Sequence, residues 1–69
     1  MDRQEFKKQF KEMLKHSYYV SVYFNQSGCS FIRVDGFVVR NVGGLELVDF
    51  FLNKEFSATM KLSDIVKME

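Results

Sequence analysis

The chain has one histidine, His16, and one cysteine, Cys29, and neither has a partner that would give it chemistry. No second cysteine or nearby histidine stands beside Cys29, so neither a Cys–His nucleophile nor a thiolate metal site can be assembled from local spacing. Asp35 precedes Gly36 and Asp64 follows Ser63, contexts in which a carboxylate serves a turn rather than proton transfer. A glycine-rich phosphate loop is also absent from the sequence. These residues point away from an enzyme and from any cofactor or metal. His16 is expected at a helix end, exposed or capping, and Cys29 as a buried or half-buried structural thiol.

Two other sets of residues suit binding. Arg3, Lys7, Lys8, Lys11 and Lys15 form a basic stripe near the N-terminus, where residues 1–16 carry five basic against three acidic side chains while the whole chain is only +1. Such a stripe can sit near phosphates, and Tyr19 and Tyr23, expected to face outward on the first strand, could stack on bases. Together these seven residues are the candidate contacts for single-stranded RNA. The second set is apolar. Phe37, Val38 and Val39 are consecutive, as are Phe50, Phe51 and Leu52, so both faces of these strands carry side chains that leave water. A 69-residue domain has little interior in which to hide them. Phe37, Val39, Val48, Phe50 and Leu52 are accordingly the candidate interface with a protein partner or with further copies of the chain, a homo-oligomer being expected.

The elements that must position these residues can be read from periodicity. Asp2 and Glu5 have capping-box spacing, and Phe6, Phe10, Met13 and Leu14 recur on one helical stripe, which predicts a helix over residues 2–16. Residues 17–25 alternate Tyr18, Val20, Val22 and Phe24 against Tyr19, Ser21, Tyr23 and Asn25, as a strand with one face inward does. Asn25-Gln26-Ser27-Gly28 supplies a turn, and a second strand begins near Cys29. Asp35-Gly36 is either a two-residue hairpin turn or a bend in one long strand. The bend is preferred, with 31–42 as a single curved strand. Gly43-Gly44 then turns the chain into a strand over 45–52, and Asn53-Lys54-Glu55 turns it again. Phe56, Ala58, Met60 and Leu62 are expected to point inward on the next strand. Ser63-Asp64 makes a short turn before a closing strand over 65–68.

The expected fold is therefore a single α+β, mainly β domain: a helix over 2–16 followed by a five-stranded, strongly bent antiparallel barrel over 17–69. One thiol excludes an internal disulfide and agrees with a reducing compartment. No apolar leader opens the sequence and no window reaches the length of a membrane span, so a cytoplasmic protein without membrane contact is expected.

Val20-Ser21-Val22-Tyr23-Phe24-Asn25 after a basic helix, Gly36 at the bend, and Lys61-Leu62-Ser63-Asp64-Ile65-Val66 near the end resemble the Sm-like family of small β-barrels, of the Hfq/LSm type. The likeness implies the SH3/Sm-like barrel and assembly through strand edges more than it implies a specific ligand. It does not carry over uridine-pore recognition. The family's Tyr-Lys-His segment has no counterpart here, where the corresponding region reads Met60-Lys61-Leu62-Ser63-Asp64. Taken together, the sequence reads as a small non-catalytic binding module that self-associates or binds a protein as an adaptor or regulator. The alternative is an Sm-like regulator that contacts single-stranded RNA through the basic helix.

Overall fold

The computed structural model describes residues 1–25 and 29–69, Cys29 by its backbone only. Most of the predicted turn at Asn25-Gln26-Ser27-Gly28, and the placing of the Cys29 side chain, lie outside the described residues. The element order is α1 (Arg3–Leu14), β1 (Val20–Asn25), β2 (Cys29–Val34), β3 (Gly36–Val42), β4 (Leu45–Leu52), β5 (Glu55–Lys61), a 3-10 turn (Leu62–Asp64) and β6 (Ile65–Met68). All pairings are antiparallel. They form two three-stranded sheets, a first in the order β2-β1-β6 and a second in the order β3-β4-β5.

Helix α1 starts where its cap dictates. The Glu5 backbone N–H donates to Asp2 Oδ1 at 2.8 Å, satisfying one of the amides that a helix start leaves without a partner. The expected return contact from Glu5 is replaced by Gln9 Nε2 donating to its carboxylate at 3.2 Å. The helix is shorter than the predicted 2–16, because Asp2 is its cap and Lys15 already lies past its last turn.

Strand β1 is shorter than the predicted 17–25. Pairing begins at Val20 opposite Val34, beyond which the partner strand turns away at Asp35, and Tyr18 is left 88% exposed. Asp35 is a bend and not a hairpin: β2 pairs with β1 while β3 pairs with β4, so the chain passes there from one sheet to the other. The ladder does not run through this bend, which makes six strands instead of five. No pairing among the described residues joins the two sheets into a closed barrel. The bend is tied down by the Asp35 N–H donating to the Phe51 carbonyl at 2.9 Å and by the Asn53 N–H donating to the Asp35 carboxylate at 3.1 Å.

Gly43 and Gly44 form the β3–β4 turn with φ of +59° and +85°, a conformation that favours glycine. Asn53 and Lys54 make the β4–β5 turn in the same left-handed region without a glycine. A register shift between Phe50 and Phe51 places Phe56 opposite Phe51, and the two rings meet edge to face at 6.1 Å. Phe56 is therefore 62% exposed instead of pointing inward, whereas Ala58 and Met60 are half-buried and Leu62 reaches the core from the 3-10 turn.

The core lies between the sheets and under α1. Phe6, Phe10, Val20, Val22, Val34, Val48 and Phe50 are fully buried, joined by Leu62, Ile65 and Met68. Each such side chain contributes about 1.5–3 kcal/mol on burial, so α1 is held chiefly by its two phenylalanines. Among the described residues no helix is long and apolar enough to cross a membrane.

Candidate interaction surfaces

Two surfaces collect residues that could bind. The first is a cleft of about 530 Å³ between α1 and β3, lined by Lys7, Phe10, Lys11 and Leu14 from the helix and by residues 35–39 from the bend and β3. Helical spacing builds one wall, since Lys7, Lys11 and Leu14 recur at i, i+4 and i+7. The opposite wall is the first part of β3, where Phe37 and Val39 lean under the helix. The Phe37 ring packs edge-on to Phe6 at 5.0 Å and to Phe10 at 4.8 Å. A second hollow shares Asp35, Gly36 and Phe37 and continues to Phe51, Asn53 and Lys54. Among the described residues β3 is an edge strand that pairs only with β4, so one row of its backbone groups faces this region without a ladder.

The second surface is the outer face of the first sheet. Tyr23 and Phe31 are directly opposed in the β1–β2 register and stack at 5.1 Å with 29° between their planes. Lys67 Nζ lies 4.7 Å from the Tyr23 ring centre and the Arg33 guanidinium 6.0 Å from that of Phe31. Lys67 also pairs with Glu69 at 2.9 Å. The Lys67 ammonium, with help from the Tyr23 hydroxyl, holds the Glu69 carboxyl below its usual range.

The outer face of the second sheet has a different character. Arg40 Nε donates to Asp49 Oδ2 at 2.8 Å, Arg40 Nη2 to Oδ1 at 3.3 Å, and the Thr59 hydroxyl to Oδ1. Hydrogen bonds from Arg40 and then Thr59 depress the Asp49 pKa. This network occupies the middle of the face with a satisfied ion pair, while Val38 at its edge remains 51% exposed.

The predicted residues divide among these places. Lys7 and Lys11 line the cleft, but Arg3 is paired with Glu46 at 3.1 Å and Lys15 with Glu12 at 3.2 Å, and Lys8 is exposed away from the cleft lining. Tyr19, exposed just before β1, and Tyr23 do not line the cleft, so the lysines and tyrosines expected to act together are separated. Of the predicted interface, Phe37 and Val39 line the cleft, whereas Val48 and Phe50 are fully buried in the chain's own core and offer no surface. Leu52 is half-buried at the end of β4, beside Phe56. His16 is exposed past the helix end, 3.8 Å from Glu12. Among the described residues no group of three His, Cys, Asp or Glu gathers.

Sequence reasoning passed over Phe31, Arg33, Lys67 and Lys54. Phe31 and Arg33 were within reach of a register argument, since pairing Asn25 with Cys29 sets Phe31 across from Tyr23 and Arg33 on the same face, whereas Lys67 arrives through the separate β1–β6 pairing. Lys54 lines the adjoining hollow only because the bend at Asp35 brings the β4–β5 turn beside it, which no local pattern encodes. Comparison with protein-family models, with curated proteins and with solved structures found no match.

Proposed function

We propose that this chain is a non-catalytic binding module, an adaptor or regulator that takes an extended polypeptide segment, from another protein or from a second copy, in the cleft between α1 and β3. One observation carries the reading: an apolar floor of half-buried Leu14, Phe37 and Val39 lies beside the open edge of β3. Strand addition at such an edge draws affinity from main-chain hydrogen bonds and selectivity from the pockets alongside. The arrangement supports an SH3/Sm-like barrel as the scaffold. The helix comes first, the chain changes sheet at a bend, and a 3-10 turn returns the last strand to pair with β1.

Panning a library of short peptides against the chain tests this. Peptides should be enriched that protect β3 amides from hydrogen exchange and that lose binding to a Val39→Glu variant. Enrichment of none, or binding indifferent to Val39→Glu, would count against the cleft. The same reading allows self-association, visible as a solution mass above 8.2 kDa that returns to monomer in the variant.

A second reading, an RNA-binding regulator, has its own support in the stacked Tyr23–Phe31 pair flanked by Arg33 and Lys67. It moves the RNA contact from the helix to the outer face of the first sheet. Binding of a short single-stranded RNA should then fall with added salt and with Phe31→Ala, and be unaffected by Val39→Glu.

A further inference from the structure

We infer that the occupant of the α1–β3 cleft is an acidic segment of another protein, extended along β3 with carboxylates on alternate residues. This rests on the cleft being the binding site and adds the chemistry of what enters it.

The basic groups of the cleft are uncommitted. Among the described residues no ion pair engages Lys7 or Lys11, nor Lys54 in the adjoining hollow. The one acid in the lining, Asp35, whose two carboxylate oxygens accept from the Asn53 N–H at 3.1 and 3.2 Å, sets one formal negative charge against the two lysines. The cleft therefore presents a net positive rim over an apolar floor. Strand alternation then selects the ligand. Lys7 and Lys11 line the cleft from α1, one turn apart, and in an added strand only alternate residues share the face toward them. A strand added beside β3 would turn every second side chain to the face that carries Phe37 and Val39, toward the helix and its lysines. The intervening side chains would lie beside Val38, which is 51% exposed on the opposite face and suits a β-branched neighbour. The matching ligand alternates acidic with apolar residues.

The same pattern argues against a second copy. Nowhere in the 69 residues do two acidic side chains stand two positions apart, so no strand of this chain carries it.

The test uses three short soluble peptides that alternate valine and threonine with glutamate, with serine, or with lysine. Their binding to the full chain is followed by fluorescence anisotropy and by hydrogen exchange at β3. The glutamate peptide should bind best and protect β3 amides. A Lys7→Glu/Lys11→Glu variant, checked for unchanged circular dichroism, should bind it about tenfold more weakly and prefer the lysine peptide. Should the serine peptide bind as well as the glutamate one, with both lost on Val39→Glu, the cleft would stand as a strand site and the acidic occupant would be overturned. Absence of β3 protection by all three peptides would overturn both readings. Displacement of the glutamate peptide by oligouridylate, with the same β3 amides affected, would assign the lysines to phosphate and also overturn the proposal.

Discussion

The rings of Phe6, Phe10, Phe37 and Phe50 and the Tyr23–Phe31 pair are both aromatic clusters seated on sheet faces, but they differ in what covers them. The first group is roofed by α1, which contributes two of its rings, and its centroids lie 4.8–6.3 Å apart. Among the described residues no element lies above the second. It is bordered by cations from β2 and β6, and Phe31 is 49% exposed. An aromatic on a strand therefore marks the core only where another element supplies the second wall. Without that wall the same residue type produces a face that stacks and attracts cations.

Removing a ring from each cluster separates the two most sharply. Phe50→Ala should cost about 3–5 kcal/mol, enough to leave so small a domain largely unfolded in urea titration, and Phe50→Leu provides the milder variant if it does not fold. A loss below about 1 kcal/mol for Phe50→Ala would mean that the roofed cluster is not the core. The polar face of the second sheet offers an intermediate case. Asp49, with a side chain 17% accessible, accepts from Arg40 and Thr59, and Asp49→Asn should cost about 1 kcal/mol. Its pKa is lowered on folding, so its contribution is fully present above the ordinary carboxylate value and disappears as pH falls through the depressed one. Stability measured down an acid series should drop less steeply in Asp49→Asn than in the parent.

Phe31→Ala should cost less, about 0.5–1 kcal/mol, because only a cross-strand pair and half a side chain's burial are lost. Equal losses for Phe31 and Phe50 would erase the distinction between the clusters. The smallest change is expected where the chain passes between the sheets. Gly36 is not in a left-handed conformation, and a Cβ there would meet the Phe51 Cβ at an ordinary 3.6 Å. Gly36→Ala should therefore stabilise by about 0.5 kcal/mol in thermal melts, through loss of unfolded-state freedom.

Much of the fold was legible in the sequence, since local chemistry dictates it. The Asp2 cap, the Phe6–Phe10 stripe, the Gly43-Gly44 turn and the bounds of β4 follow from patterns a few residues long. The position of Phe56 did not follow, because one register shift opposite Phe50 and Phe51 moves it to the other face. Nor was it visible that α1 would settle over Phe50 and that the core would enclose Val48, taking both out of any interface. A run apolar on both faces says that two coverings are needed, and tertiary packing decides which side the chain covers itself. The candidate site was legible in pieces. Lys7, Lys11, Phe37 and Val39 were all singled out, but in separate sets, and only the placement of α1 along β3 brings them together.

The two sheets also differ in when they can be completed. β3, β4 and β5 are joined by consecutive tight turns, so each finds its neighbour as soon as it is synthesised. β1 pairs with β2 early but must wait for β6 to gain its other neighbour, with Tyr23 meeting Lys67 and Val22 meeting Met68. Nascent chains stalled before Ile65 would thus hold the second sheet while Val22 and Phe24 still lacked a neighbour on one side. Protease resistance of the N-terminal half should rise only once the last strand has left the ribosome.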